Sequence, residues 1–290
     1  MDNRVKDNRA WLGVLPVLLI VAFSGVIPLM TVVNYSFQDI LNFDNRFFVG
    51  FQWYSQTLND PRFIEAFARQ LLFTASILAI EIPLGIMVAK GMPRQGKKAT
   101  AILLFLAVPL LIPSNVVGTI WQLFARSDIG LMGVSLNYLG WNFNYTASAS
   151  QAWFTLLAMD IWHWTPFVTL TLLAGLSALP QDPYESAKID GANNFQIFLY
   201  ITIPMMVPVL IVVIFIRLMD SLKIVDEVWM LTGGGPGYAT RFTGIHIWKE
   251  VFEKRYYGLG SAMSILYLYI TIVICWILYS VMVSRGKSED

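Results

Sequence analysis

Several polar side chains lie within otherwise apolar stretches of this sequence, where they could contact a polar solute. They are Glu81, Ser114, Asn115, Asp160, His163, Arg217 and Asp220. Such residues are costly in an apolar environment and usually face a cavity or a partner helix. Asp160, Trp162, His163 and Trp164 stand close together just before Pro166, so hydrogen-bonding groups alternate with flat apolar rings. This mixture suits a polyhydroxylated ligand, although helix packing or a subunit contact would also explain each residue.

Two of these residues, Arg217 and Asp220, have the spacing i, i+3. Side chains at this spacing are neighbours on a helix, so they could form an internal ion pair or line the path of the solute together with the cluster before Pro166. Asn115, beside Pro113, could line this path from another helix, whereas Glu81 could simply pair across the interface with a partner. The predicted pathway residues are Asn115, Asp160, Trp162, His163, Trp164, Arg217 and Asp220.

The sequence offers little material for covalent or metal chemistry. A single cysteine, Cys275, allows neither an intramolecular disulfide nor a cysteine-based metal cluster. The two histidines, His163 and His246, are too far apart in the chain to predict a histidine-rich metal site. No nucleotide-binding loop, paired catalytic carboxylates or Ser/His/Asp arrangement is identifiable, so we expect neither an enzyme nor a cofactor bound by this chain. A formal net charge of +1 also argues against nucleic acid as a partner.

The elements that carry these residues are predicted to be transmembrane helices. The chain is 56% hydrophobic and 13% charged, whereas soluble domains carry about 25% charged residues. A helix crossing the bilayer needs about 20 mainly apolar residues. The stretches that meet this test are 11–33, 71–89, 101–124, 153–176, 204–222 and 262–283. We therefore predict an all-α integral membrane protein with about six spans in a single domain, 1–290, and kinks at the prolines within spans.

The distribution of cations predicts the orientation, because Lys and Arg are retained in short cytoplasmic loops. The segments 1–10, 90–98, 178–203 and 285–290 contain ten cations in 51 residues. The segments 34–69, 125–150 and 223–258 contain nine in 98 residues. Both termini and the 178–203 loop are therefore predicted to be cytoplasmic, and the three longer loops external. Aromatic runs in the external loops suit either the membrane boundary or the docking of an external partner.

The cytoplasmic loop 178–203 has the local chemistry of a helix-turn-helix elbow. Asp182 could cap a helix, with Pro183 in its first turn and Glu185 completing a capping box. Gly191 could take a positive φ and end that helix after two turns. Asn193 or Asn194 could cap a second helix. The sequence thus predicts a short elbow suited to docking.

This loop resembles the EAA loop of binding-protein-dependent ABC importer permeases. The family pattern is Glu-Ala-Ala, three residues, Gly, nine residues, Ile, one residue and Leu-Pro. The positions in register here are Glu185, Ala187, Gly191, Ile201 and Pro204, while Ser186 and Ile203 depart from the pattern. The segment 231–240, with its Gly-Gly-Pro, resembles a loop of carbohydrate-type permeases; it lacks the Gly-Lys-Ser/Thr of a phosphate-binding loop.

The resemblance implies a MetI-like permease fold in a bacterial or archaeal plasma (inner) membrane. It also implies a second homologous permease, two cytoplasmic ATPase subunits that hold ATP and Mg²⁺, and an external solute-binding protein. Substrates of the family are sugars, polyols, glycerol and glycerol phosphates. The residues implied in ATPase coupling are Glu185, Ala187, Asp190, Gly191, Ala192 and Phe195.

Two other classes of protein stay open as alternatives. A secondary transporter driven by protons could use Asp160 and His163 as a relay. An intramembrane enzyme could use His163 with Asp160 and Asp220. Neither alternative explains why Glu185 and Gly191 stand in the register of the EAA loop.

Overall fold

The computed structural model describes residues 10–42, 44–93 and 96–286. Its α-helices are, in chain order, α1 (Ala10–Val21), α2 (Ile27–Tyr35), α3 (Gln52–Leu58), α4 (Pro61–Gly91), α5 (Lys97–Ala107), α6 (Ser114–Phe124), α7 (Leu131–Tyr138), α8 (Ala149–Ala178), α9 (Asp182–Ile189), α10 (Asn194–Ile197), α11 (Ile203–Leu222), α12 (Asp226–Thr232), α13 (Thr243–Trp248) and α14 (Tyr257–Gly286). Short π-helical turns at Ala22–Val26, Phe198–Thr202 and Lys249–Glu253 join or extend these helices, and Val108–Leu111 is a 3-10 turn.

Five helical segments are long and apolar enough to cross a membrane, and a bent helix pair makes a sixth candidate. The five are Gly13–Tyr35, Pro61–Gly91, Ala149–Ala178, Asn194–Leu222 and Tyr257–Val281. Helices suit this role because they satisfy their backbone hydrogen bonds internally, where lipid offers no partner. The prediction of about six spans is confirmed when the bent pair is counted as one.

The predicted span 101–124 consists of two helices rather than one. The segments Lys97–Leu111 and Ser114–Phe124 meet at an angle of 96°. Ile112 and Pro113 between them are extended, with ψ angles of 125° and 142°. The residue before a proline is disfavoured in the α conformation, so Pro113 forces the helix to end at this point.

The span predicted to begin at Pro204 is longer than expected and begins at Asn194. The π-helical turn Phe198–Thr202 connects α10 to α11 without a loop, and Pro204 lies in the first turn of α11. Proline is tolerated in the first turn of a helix, where its missing N–H is not needed. The second helix of the predicted elbow is therefore the beginning of the transmembrane span itself.

The described chain divides into two compact units. One contains the described residues up to Ile64 together with Ile247–Tyr269. Its strands β1 (Gln38–Ile40) and β2 (Arg46–Phe48) form an antiparallel pair that the all-α prediction omitted. A hydrogen bond ties α3 to β1 in this unit, since the Trp53 indole N–H donates to the backbone carbonyl of Gln38 at 2.9 Å. Phe63, Leu259 and Met263 form its small apolar core.

The other unit contains Glu65–His246 and the described residues from Ile270 onward, and it has two apolar clusters. The first includes Phe73, Ile77, Val117, Trp121, Leu156, Met159, Ile224 and Val228. The second includes Ala89, Val168, Leu172, Leu176, Met206 and Val213. Along α4, α8 and the segment 203–224, Glu81, Asp160 and Arg217 fall where the chain passes from one cluster to the other. These helices thus bring polar residues of three spans to comparable positions.

Candidate functional site

The elbow begins one residue earlier than the sequence predicted. Gln181 is the N-cap of α9, and its carbonyl accepts from the N–H groups of Tyr184 at 2.9 Å and Glu185 at 3.1 Å. The predicted cap Asp182 and its capping box with Glu185 are wrong: at this helix, which the structure describes in full, the cap residue makes no capping hydrogen bond with its side chain. Asp182 instead lies in the first turn, where a carboxylate favours the positive end of the helix dipole.

The predicted turn of the elbow is confirmed. Gly191 has a φ of +78°, which only glycine adopts at little cost, and α9 ends two residues before it. The Asn193 side chain then accepts from the N–H groups of Phe195 at 3.0 Å and Gln196 at 2.9 Å. Gln196 Oε1 accepts in return from the Asn193 N–H at 2.8 Å, which completes a capping box. The turn is therefore fixed on both sides by local bonds.

The surface of this elbow exposes apolar side chains. Ile189 is 87% exposed and Phe195 71% exposed, and none of the described residues of α9 is buried. A hydrogen bond of 3.2 Å between Tyr184 Oη and Thr202 Oγ1 ties α9 to the beginning of the span. The predicted coupling residues all lie on this feature, on α9, in the turn or at the start of α10. They are Glu185, Ala187, Asp190, Gly191, Ala192 and Phe195.

A buried cluster of charges joins three spans, and Arg217 lies at its centre. Its Nε donates to Glu81 Oε2 at 2.7 Å, and its Nη2 donates to Glu81 Oε1 at 3.2 Å and Asp160 Oδ2 at 2.6 Å. Nη1 donates to Asp220 Oδ2 at 3.1 Å, which is the ion pair that the i, i+3 spacing allowed. The Trp164 ring covers the guanidinium, with 4.7 Å from Arg217 Cζ to the ring centroid. All three guanidinium nitrogens are thus bonded to carboxyl groups.

The sequence missed part of this arrangement. Glu81 pairs with Arg217 of the same chain, 136 positions away, so this bond joins two helices of one chain. Asp160 bonds to Arg217, whereas the proton-relay alternative paired it with His163. The only signal for these contacts was an ionisable residue in each of three predicted spans, because long-range pairs depend on how the helices pack.

His163 faces a carboxylate that the sequence did not single out. Its Nδ1 lies 3.7 Å from Glu227 Oε1, and both side chains are buried. Burial raises the pKa of Glu227, but interactions with His163 and Ser114 outweigh it and leave that pKa below its ordinary value. Glu227 is held in place by close packing of α12 on α6, since a Cβ on Gly118 would lie 2.7 Å from the Glu227 carbonyl oxygen.

Besides His163, two predicted pathway residues lie outside the charged cluster. Asn115 is exposed at the beginning of α6, and its side chain accepts from the adjacent Val116 N–H at 3.0 Å. Trp162 packs against Trp121, with ring centroids 6.0 Å apart, and keeps 38% of its surface exposed. The structure therefore brings together Asp160, Trp164, Arg217 and Asp220 and leaves these two outside the ion pairs.

A polar cavity of about 240 Å³ adjoins the cluster. Its lining residues are Ser114, Asp220, Lys223, Ile224, Val225, Asp226 and Glu227. Asp220 belongs to both features, because one of its oxygens bonds to Arg217 while the residue lines the cavity. Ser114 marks the start of α6, directly after the break at Pro113. Space for a small polar solute therefore lies where the broken span, α12 and the end of α11 meet.

These features define a class of protein. The chain has several membrane-spanning helices, a buried charged cluster that joins three of them, a polar cavity beside that cluster and an exposed elbow continuous with a span. A helical membrane protein built in this way has the parts of a solute permease.

Comparison with known proteins gives the family. The sequence model for "Binding-protein-dependent transport system inner membrane component" matches residues 81–284. The trehalose/maltose transport system permease protein MalF of Thermococcus litoralis is 34% identical over 92% of this chain and 93% of its own. The osmoprotective compounds uptake permease protein GgtC of Synechocystis sp. is 32% identical over 88% of this chain and 92% of its own. The chain belongs to this family of binding-protein-dependent permeases.

A solved structure shows the same fold. A chain of a bacterial ABC transporter involved in the import of the acidic polysaccharide alginate superposes with a TM-score of 0.79 at 20% identity, over 94% of each chain. The predicted permease fold is thereby confirmed, as is the resemblance stated from the EAA loop. The chain is a multi-pass inner-membrane permease component of an ABC importer.

Proposed function

We propose that this chain forms half of the translocation pore of an ATP-driven importer for a carbohydrate-like solute, and that its elbow couples the pore to an ATPase. The proposed assembly contains a second homologous permease, two cytoplasmic ATPase subunits and an external solute-binding protein. ATP and Mg²⁺ would be bound by the ATPase subunits, and this chain would bind no cofactor. The solute would be a sugar, a polyol, glycerol or a glycerol phosphate.

The observation that carries the proposal is the exposed elbow at residues 182–203. Ile189 and Phe195 leave apolar surface exposed at a turn that Gly191 and Asn193 fix rigidly. Burying this surface in a groove of a partner would be favourable, at about 25 cal/mol for each Å² of apolar area. The predicted cytoplasmic side of the loop makes an ATPase subunit the natural partner.

The continuity of the elbow with a span suggests how movement is transmitted. From Asn194 to Leu222 the chain is helical without a loop, and the same segment carries Arg217. A displacement of the elbow by nucleotide-driven closure would therefore move the helix that holds the charged cluster. The cluster joins that helix to α4 and α8, so the displacement would spread to two further spans.

The solute class rests on the polar cavity and on the relatives. The cavity offers carboxylates and a hydroxyl, which can accept hydrogen bonds from the hydroxyl groups of a polyol. The Thermococcus relative is named for trehalose and maltose, and the Synechocystis relative for osmoprotective compounds. We propose that the solute passes through this cavity along Asp220 and Glu227, next to the bond between Arg217 and Asp160.

Substituting Gly191→Pro tests the coupling role, with Gly140→Pro as the matched control. Gly191 has φ +78° and Gly140 has φ +85°, and neither has another atom within 4 Å of an added Cβ. Each N–H also bonds to the carbonyl three residues earlier, Lys188 at 3.1 Å and Asn137 at 2.9 Å. Proline cannot adopt either φ, so both variants carry the same local defect.

The measurements are ATP-dependent uptake and co-purification of the ATPase with membrane-inserted protein. Gly191→Pro is expected to lose both, whereas Gly140→Pro should keep ATPase binding because its turn lies outside the elbow. Equal retention of the ATPase and of uptake in the two variants would refute the coupling role of residues 182–203.

A further inference from the structure

The charge of the solute can be inferred from whether the cations near the cavity are already paired with acidic groups. Family membership leaves the charge open, since the similar proteins include one named for trehalose and maltose and one involved in importing an acidic polysaccharide. A cation free to meet the solute would favour the passage of an anion, because an unpaired charge in a medium of low dielectric constant is costly. An inference about charge rests on the proposed function and on the proposed path.

Arg217 is already occupied by this chain's own carboxyl groups. It makes four hydrogen bonds, two to Glu81 and one each to Asp160 and Asp220, and its side chain is fully buried. One guanidinium thus faces three acidic groups. An anionic solute would have to displace a bonded carboxylate to reach this cation, and the displaced group would then be left buried without a partner.

The cavity itself has an excess of acidic groups. Its lining includes Asp220, Asp226 and Glu227, and among the described residues that line it Lys223 is the one cation. Lys223 Nζ lies 3.5 Å from Asp220 Oδ1, and its side chain is 72% exposed, so its charge is paired and largely hydrated. His163 Nδ1 lies 3.7 Å from Glu227 Oε1, so this ring also faces an acidic group of the lining.

An anion and a neutral solute would therefore meet different energies in this cavity. A phosphate or carboxylate would approach carboxylates of the same sign, and Coulomb repulsion opposes that approach. A hydroxyl group, in contrast, donates readily to a carboxylate oxygen, and such charge-assisted bonds are strong. We infer that the cavity beside Arg217 admits uncharged polyhydroxylated solutes and rejects anionic ones such as glycerol phosphates and uronates.

The test uses the complete transporter in proteoliposomes with ATP enclosed and with its binding protein present. Uptake is compared within pairs that differ in charge: glycerol and glycerol 3-phosphate, trehalose and trehalose 6-phosphate, glucose and glucuronate. The decisive variant is Asp226→Lys, which reverses an exposed charge of the cavity lining. The control is Asp44→Lys, the same charge reversal at an exposed turn residue far along the chain from the lining residues.

Wild-type protein is expected to accumulate only the neutral member of a pair. Asp226→Lys should raise the ratio of anion to neutral uptake by about tenfold or more, since two units of charge change close to the solute. Asp44→Lys should leave that ratio unchanged. Accumulation of the anion by wild-type protein, or an unchanged ratio in Asp226→Lys, would overturn the inference and assign charge selection to other subunits.

Failure of the proposed function would look different. If no solute of any pair accumulates with ATP, the importer assignment for carbohydrate-like solutes fails. Equilibrium dialysis of the same pairs against the purified complex would still test the charge: retention of an anionic member in preference to its neutral partner would overturn the inference.

Discussion

At the scale of single residues, Arg217 controls the balance of the membrane domain's buried charges. Its removal would leave the Glu81 and Asp160 carboxyl groups in apolar surroundings without a cation. Breaking a buried ion pair from one side costs about 3–5 kcal/mol, far more than the net contribution of the intact pair. We therefore expect loss of the guanidinium alone to destabilise the protein, and replacement of the cation and both carboxylates by uncharged residues to be tolerated.

Replacing Arg217 by Met is expected to lower the free energy of unfolding by about 3–5 kcal/mol. This loss of stability is measured as a lower thermal midpoint of the purified protein in detergent, with the folded fraction monitored by size-exclusion chromatography. Asp220→Asn should cost much less, because the Asp220 side chain is 27% exposed and water can replace its bond. The triple change Arg217→Met, Glu81→Gln and Asp160→Asn should recover most of the loss; equal midpoints for wild type and Arg217→Met would show that the cluster is not structural.

The sequence predicted part of this site, and the missing part has a physical reason. The ion pair of Arg217 with Asp220 is local, so helical spacing alone indicated it. The bonds to Glu81 and Asp160 join residues 136 and 57 positions apart, and they depend on the packing of α4 and α8 against α11. Glu227 falls in a predicted external loop, and nothing in its local sequence shows that α12 packs closely on α6.

At the scale of elements, local chemistry decided which predictions succeeded. Gly191 and Asn193 act on their own neighbours, and both roles are confirmed. The predicted N-cap of α9 was wrong by one residue, because several polar residues in a row could begin the same helix. The break before Ser114 and the continuity through Pro204 depend on extended and π-helical backbone that an apolar pattern does not specify.

Close packing between α6 and α12 should be needed to place Glu227 at the cavity. A Cβ on Gly118 would lie 2.6 Å from Met230 Cβ and 2.7 Å from the Glu227 carbonyl oxygen, so Gly118→Ala must push α12 away. Overpacking of this kind costs about 1–3 kcal/mol. We expect a lower thermal midpoint and several-fold slower uptake.

The control for this change is Gly91→Ala at the end of α4, where an added Cβ would meet no other atom within 4 Å. It should retain wild-type stability and uptake. If Gly118→Ala matches Gly91→Ala in both measurements, the packing of α6 on α12 does not position the cavity.

At the scale of the whole molecule, hydropathy was the most informative part of the sequence. The apolar runs predicted the spans because lipid imposes their length and composition. The two-stranded pair and the division into two compact units were not predicted, since short polar segments carry a weak signal. The predicted orientation, with both termini cytoplasmic, stays a prediction that rests on the distribution of cations.

The source of energy for uptake is the most direct test of the account. The complex isolated through a tag on this chain is reconstituted into proteoliposomes, and uptake of glycerol and trehalose is measured with enclosed ATP or with an imposed proton gradient. We predict uptake that requires ATP, the co-purified ATPase and the binding protein, and that persists when an uncoupler removes the gradient. Uptake driven by the gradient without ATP would contradict the account and support the proton-driven alternative.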